Sequence, residues 1–339
     1  MKSPVPRRPT QRDIARALDL SQAAVSQALN GRGKLSASVR RRVADYAEKH
    51  GYRIDPALAA LAAYRTGKRE PGYLGTVAWL TNFSRAEGWK IGTFVEYHRG
   101  AAAFLREHGY ELETFWMGEA GMTPRRMEDI LKARGIECIL VCPQEQPGTV
   151  TDWDFSEFSV VTFGFTLERP RFHMVTAQGF ISMRVLFESL HRRGRRAIGF
   201  AYGEQIERRA QGAWLGGFLV AQLLQNGGRK IPPLRCDNLP ERFERWLNRH
   251  RPDAVITTDS SVPDQLKAAG FRIPRDISLC FTVADPSRHI GGMVFDNLRI
   301  GEIAARKLIS LHHARECGVP SVPEMTAIEG TFHPGKTVG

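Results

Sequence analysis

Apolar residues recur at helical spacing in the first fifty positions. Ile14, Ala15 and Leu18 form one stripe, Val25, Ala28 and Leu29 a second, and Val39, Val43, Tyr46 and Ala47 a third. Each stripe opens on a residue suited to capping: Thr10, with Asp13 three positions on, then Ser21 and Ser36. Gly51 suits the end of the third stretch. The pattern predicts three short helices, near 11–18, 22–29 and 37–50, the first two joined only through Asp19, Leu20 and Ser21. Next comes Asp55-Pro56-Ala57-Leu58-Ala59-Ala60-Leu61-Ala62-Ala63, with a capping Asp, a Pro at the first helical position and a run of good helix formers. A helix of about two turns is marginal alone in water and needs a partner to fold.

Beyond Gly72 the pattern changes. Short runs rich in Val, Ile and Phe at 74–80, 111–116, 136–142, 159–165, 197–202, 253–258 and 277–283 read as strands. They alternate with helical stretches at 93–108, 124–134, 179–193, 209–226, 240–250, 262–269 and 299–314. That alternation predicts doubly wound α/β sheets of parallel strands with helices on both faces. Some 260 residues exceed one such sheet, so two lobes are expected, with a ligand cleft beyond the carboxyl ends of their strands. The predicted organisation is an all-α head over 1–54, a short helix and linker over 55–72, and a two-lobed body over 73–339.

Charge sharpens this division. The chain has 339 residues and a formal charge of +12. Residues 1–70 hold 15 Lys and Arg against 6 Asp and Glu, whereas the rest holds 33 against 30. A basic module on a nearly neutral body is the electrostatic footprint of a nucleic-acid binder. A solvated basic tail would carry the same charge, but it would lack the helical periodicity. No apolar run is long enough to span a bilayer, and no apolar stretch follows the basic first residues, so neither membrane insertion nor secretion is expected. Five dispersed cysteines, an odd number, argue against a disulfide framework and for a reducing cytoplasm.

Two short helices with a tight turn form a helix-turn-helix. Ala15 and Ala24 let the helices cross closely, and Gln22, Ala23, Ser26, Gln27 and Asn30 make a polar outer face on the second. The plain alternative is a three-helix bundle with a solvated face. The spacing of Asp13-Ile14-Ala15, Ser21, Ala24-Val25-Ser26, Leu29-Asn30, Ser36, Arg40, Val43 and Gly51-Tyr52 resembles the LacI/GalR (lactose-repressor/galactose-repressor) family of bacterial transcription regulators. Fainter echoes of that family's periplasmic-binding-protein-like core lie at Gly100 to Tyr110, Gly194 to Gly199 and Ile273 to Ser278.

The resemblance implies roles residue by residue. Gln22, Ala23 and Gln27 would read bases in the major groove, Gln through a bidentate contact to adenine and Ala23 through its methyl. Thr10, Ser21, Asn30, Ser36 and Arg40 would touch phosphates, which position without specifying. The 55–63 segment matches a hinge helix, with Leu61 as a minor-groove wedge. A linker helix packed on the core is the alternative, and the usual proline two residues after Tyr52 is missing. The partners implied are a palindromic double-stranded operator, a second copy in a homodimer and a small-molecule effector, with no cofactor and no membrane.

The core departs from its relatives. Trp214 stands where sugar- and purine-binding members carry an arginine, Ala177 or Gln178 where they carry an aspartate, and Asp259 where they often carry Asn. A second family aspartate is displaced to Asp285, while Arg208 remains available to the cleft. With Trp79 as a further ring, the expected effector has an apolar or aromatic face and a donor or cation for Asp259. Each of these residues serves equally well as core or surface.

Enzyme motifs are missing: no dinucleotide-binding glycine fingerprint, phosphate-binding loop, HExxH or GxSxG occurs. Cys138 and Cys142 share one face of a strand and read as buried thiols, while His312, His313 and Cys317 form only a weak metal pattern. The reading is a cytoplasmic, effector-controlled DNA-binding regulator, in the repressor mode commoner in the family. An enzyme localised by the head, and a core that only dimerises, are the alternatives.

Overall fold

The computed structural model describes residues 11–29, 36–49, 73–225, 227–236 and 240–339. The chain divides into two compact units, Met1–Arg69 and Glu70–Gly339.

In the first unit, α1 (Gln11–Leu18), α2 (Gln22–Leu29) and α3 (Ala37–Lys49) form where the apolar stripes place them. Their stripes meet in a core of Ile14, Ala15, Val25, Val43 and Ala47, with Leu18, Leu20, Ala28, Leu29 and Tyr46 packed around it. The α1–α2 turn is tight because Asp19 takes a left-handed conformation (φ 53) and the Leu20 amide returns to the Ala15 carbonyl at 2.9 Å. Ser21 and Ser36 cap as their positions predict: their Oγ atoms accept from the amides of Ala24 (3.1 Å) and Val39 (3.3 Å).

The second unit has two lobes. Lobe 1 is a six-stranded sheet in the order β13-β7-β5-β3-β1-β2, built from β1 (Gly75–Thr81), β2 (Tyr110–Trp116), β3 (Cys138–Val141), β5 (Ser159–Phe163), β7 (His173–Ala177) and β13 (Met325–Ile328). All its pairings are parallel. A small separate sheet pairs β4 (Thr149–Val150) with β6 (Leu167–Arg169). On one face, α4 (Gly92–Glu107) and α11 (Asn297–Ala314) cover Val77, Trp79, Leu140, Val161 and Val175. On the other, α5 (Pro124–Ala133) packs with Trp153, Phe155 and Phe172.

Lobe 2 has the order β14-β12-β11-β10-β8-β9, from β8 (Ile198–Tyr202), β9 (Leu234–Arg235), β10 (Ala254–Thr257), β11 (Ser278–Phe281), β12 (Gly291–Val294) and β14 (Thr331–His333). Its faces are covered by α6 (Gly179–Arg192) with α8 (Ala213–Leu224), and by α9 (Pro240–His250) with α10 (Val262–Ala268). The chain crosses between lobes three times, after β7, after β12 and after β13.

Three expectations are corrected. The predicted helix 209–226 is α8 alone, which starts only at Ala213 because Gln211 (φ 50) and Gly212 (φ 73) both turn left-handed; a separate short helix, α7 (Glu204–Arg209), precedes it. α8 takes its cap from a distance: its Leu215 amide donates to Glu207 Oε1 at 2.9 Å. The sheets are not wholly parallel, since β14 runs antiparallel to β12. Finally, β7, β12, β13, β14 and the short strands β4, β6 and β9 were not legible as apolar runs. β13 and β14 are half-exposed edge strands whose pairing partners come from far along the chain.

Candidate nucleic-acid interface and interlobe cleft

In the head, α2 turns Gln22 and Gln27 to solvent. Ala23 lies between them on the same helix. Arg12 Nε of α1 donates to Gln22 Oε1 at 3.3 Å, which ties the start of α2 to α1. The Ser21 and Ser36 hydroxyls are exposed as well as capping, and Arg40 sits half-buried on α3. Arg12, Arg16, Arg41 and Arg42 are exposed on α1 and α3. Thr10, Asn30 and Leu61, with the whole 55–63 segment, lie outside the described residues.

In parallel sheets, ligands gather at the switch point where successive connections leave a strand in opposite directions. Lobe 2 has its switch point at β8, flanked by β9 and β10. There an open pocket of about 480 Å³ lies at the carboxyl ends of β8 and β10, lined by residues 203–206 and 258–260. Asp259 is part of this wall. Its Oδ1 accepts from the Ser261 amide (2.8 Å) and hydroxyl (2.7 Å), so the carboxylate is held in place. Glu204 faces the same pocket and pairs with Arg235 at 2.9 Å.

The other expected cleft residues are dispersed. Trp79 is fully buried (0% exposed) in the lobe 1 core, against Trp89 (5.4 Å), Phe163 (5.4 Å) and His98 (5.1 Å). It is therefore no stacking surface for a ligand: as a central residue of β1 it points under α4 and α11. Trp214 is 6% exposed in the lobe 2 core, edge-on to Phe295 at 6.2 Å and over Gly179, so it props the first two crossovers. Asp285 is exposed and caps the 3-10 turn at 286–288 through the Ser287 amide (3.0 Å) and hydroxyl (2.6 Å), bonds that hold its carboxyl below the usual range. It does not line the pocket. Arg208 is exposed on α7 and reaches towards lobe 1: a Cβ on Gly148 would sit 3.9 Å from its Nη2.

Lobe 1 has its switch point at β1, flanked by β2 and β3. The loops after β1 and β3 are joined there by Glu145, whose carboxylate accepts from the Ser84 amide (2.8 Å) and hydroxyl (3.0 Å). Arg209, on lobe 2, enters this crevice. Its Nη1 donates to the Glu145 carbonyl (2.9 Å) and its Nη2 to the Gln144 carbonyl (3.0 Å), and its guanidinium stacks 5.5 Å from the Phe94 ring centroid. Sequence reasoning passed over Arg209, because no local pattern signals a contact made to residues about sixty positions earlier.

Among the described residues, no group of three or more His, Cys, Asp or Glu is placed to hold a metal ion. Cys138 and Cys142 are buried in lobe 1, and burial pushes both thiols far above their ordinary range. Among the described residues, no helix is long and apolar enough to cross a membrane.

No protein-family model matches the sequence. No curated protein matches it either. Solved structures do match in fold. A complex of the transcriptional regulator CelR with cellobiose aligns at TM-score 0.57 and 17% identity, over 97% of this chain and 100% of that one. A lac repressor dimer bound to operator and the anti-inducer ONPF aligns at TM-score 0.57 and 14% identity, over 98% and 99%. The transcription regulator CcpA of Lactococcus lactis aligns at TM-score 0.54 and 12% identity, over 78% and 100%. The chain has the fold of these regulators: a helix-turn-helix head followed by a two-lobed, periplasmic-binding-protein-like core.

Proposed function

We propose that this chain is a DNA-binding transcription regulator of the LacI/GalR type, with a head over 1–54, a hinge over 55–72 and a core over 73–339. It acts as a cytoplasmic homodimer on a palindromic operator, because one short recognition helix reads too few base pairs for specificity. The observation that carries this reading is the head itself. A packed three-helix core holds α2 with Gln22 and Gln27 exposed at its surface, within the segment that holds most of the net positive charge.

In this role Gln22, Ala23 and Gln27 read base edges, while Ser21, Ser36 and Arg40, with Thr10 and Asn30, bind phosphates. Ser21 and Ser36 do so while capping α2 and α3, since a hydroxyl that accepts from an amide still has its proton to donate. Leu61 wedges into the central minor-groove step. Binding-site selection from random DNA with the purified chain tests the proposal. Recovery of a two-fold symmetric motif is expected, and recovery of no motif refutes it.

The core is a sensor. The pocket at the lobe 2 switch point supports this over a core that only dimerises. Its acidic and hydroxyl lining, from Glu204, Thr258, Asp259 and Ser260, suits a ligand rich in hydrogen-bond donors. Because Trp79 and Trp214 are core residues, the expected aromatic stacking of the ligand is withdrawn. Binding alters lobe closure, and linkage couples closure to DNA affinity as a reciprocal free energy. A thermal-shift screen of small donors identifies the ligand, since a bound ligand raises the melting temperature. Repression is the mode expected from the likeness of fold.

A further inference from the structure

We propose that Arg209 is a clasp built into the chain, which holds the two lobes together by inserting into the crevice of lobe 1. The inference rests on the two-lobed fold alone and stands apart from the DNA-binding reading.

The crevice at the β1/β3 switch point is where a parallel sheet ordinarily receives a ligand. Here the chain's own side chain enters it from the other lobe. Two consecutive carbonyls, of Gln144 and Glu145, face the two arms of the Arg209 guanidinium at 3.0 and 2.9 Å. A planar fork matches a pair of acceptors in this way, whereas an ammonium does not. The acceptors are fixed from behind. The Gln144 amide donates to Thr166 Oγ1 (2.7 Å) and its side chain to the Cys142 carbonyl (2.6 Å), while Glu145 is pinned to Ser84. Phe94, on α4, closes one face of the guanidinium.

These partners are two neutral carbonyls and an aromatic ring. Partial burial of the cation in such a setting pushes its pKa down. The charge-assisted hydrogen bonds to Gln144 and Glu145 offset part of that desolvation cost, and they exist only while the lobes are together. Three crossovers join the lobes, the arrangement of a hinge, and Arg209 bonds across the gap they leave free to open. Arg192, exposed on α6 and paired with Glu188 of the same helix, supplies an internal control.

The test uses the full-length wild-type chain, Arg209→Ala, Arg209→Lys and Arg192→Ala, with no DNA and no ligand added. Small-angle scattering reads lobe opening, and hydrogen exchange reads the amides of Cys142 and of residues 144–146. For Arg209→Ala the pair-distance distribution should shift to longer distances, and exchange of these amides should accelerate by about tenfold or more. Arg209→Lys should open nearly as far, because it keeps the charge and loses the fork. Arg192→Ala should match wild type. The clasp is overturned if Arg209→Ala keeps wild-type scattering and exchange, or if Arg192→Ala opens the lobes equally. Should Arg209→Ala fail to fold by circular dichroism, Arg209→Lys decides on the same two readouts. Neither readout involves an operator or effector, so failure here leaves the regulator proposal standing, and failure of site selection leaves the clasp standing.

Discussion

Gly301→Ala should destabilise the core unit severely. Gly301 lies near the start of α11, just after the crossover from lobe 2, at its crossing with α4. A Cβ there would sit 2.0 Å from the Tyr97 carbonyl oxygen, 2.7 Å from its carbon and 2.9 Å from the Ala101 amide nitrogen. All three atoms are backbone, so no rotamer change relieves the clash. Carbon-to-oxygen contact is reached at about 3.3 Å, so the helices must part by more than about 1 Å. A gap of that size forfeits a quarter to a half of each dispersion contact along the seam. That seam buries Ile300, Ala304, Ala305, Leu308 and Ile309 of α11. The expected cost is about 3 kcal/mol or more, at or beyond the upper end for ordinary overpacking. At roughly 2–4 °C per kcal/mol for a unit of this size, the melting temperature should fall by about 6–12 °C. The assay is thermal unfolding of the full chain by circular dichroism. Gly203→Ala is the control, since a Cβ there meets nothing within 4 Å. If Gly301→Ala melted within about 1 °C of wild type, the close approach of α4 and α11 would be wrong.

Four further outcomes are expected. DNA affinity should fall steeply with salt, by about 0.9 in log affinity per phosphate contact for each unit of log salt, and a dimer slope below about two would remove the basic head from the interface. Gln27→Ala should weaken the best site by about 1–3 kcal/mol and relax preference at one symmetric pair of positions, while Arg40→Ala weakens all sequences evenly; an unchanged selected motif for Gln27→Ala would place the recognition face elsewhere. Leu61→Ala should reduce DNA bending, read by gel mobility of phased sites, and spare non-specific binding; equal bending would favour a linker helix. His98, packed against Trp79 (5.1 Å) and Trp89 (4.9 Å), has its pKa lowered from 6.5 first by burial and then by Lys90. Below pH 6.5 the unfolded chain binds a proton more readily than the folded one, so stability should decline as pH falls from 6.5 towards the depressed folded value. His98→Gln should flatten that decline in denaturant melts, and an unchanged pH profile would exclude His98 as its source.

Local chemistry was enough for the head and for the inner strands. α2 and α3 begin where their caps place them, since Ser21 and Ser36 act on amides three residues away. Inner strands such as β3 and β5, all of whose residues are buried, announce themselves as apolar runs because both faces of a parallel sheet are covered. The charge segregation between head and body is likewise a property of composition alone. Tertiary structure decided what depends on partners distant in sequence. β13 and β14 pair with strands of different lobes, and nothing in Met325–His333 encodes which neighbours will complete their ladders. Trp79 and Trp214 looked suited to a binding face, yet which side of a strand or helix is covered depends on the elements that pack there, and both rings lie in cores. Asp259 came to line a pocket and Asp285 a turn, although both follow strands of the same sheet. The Arg209 clasp was invisible for the same reason: its partners are backbone carbonyls, which every residue carries, and only folding brings two of them in front of one guanidinium.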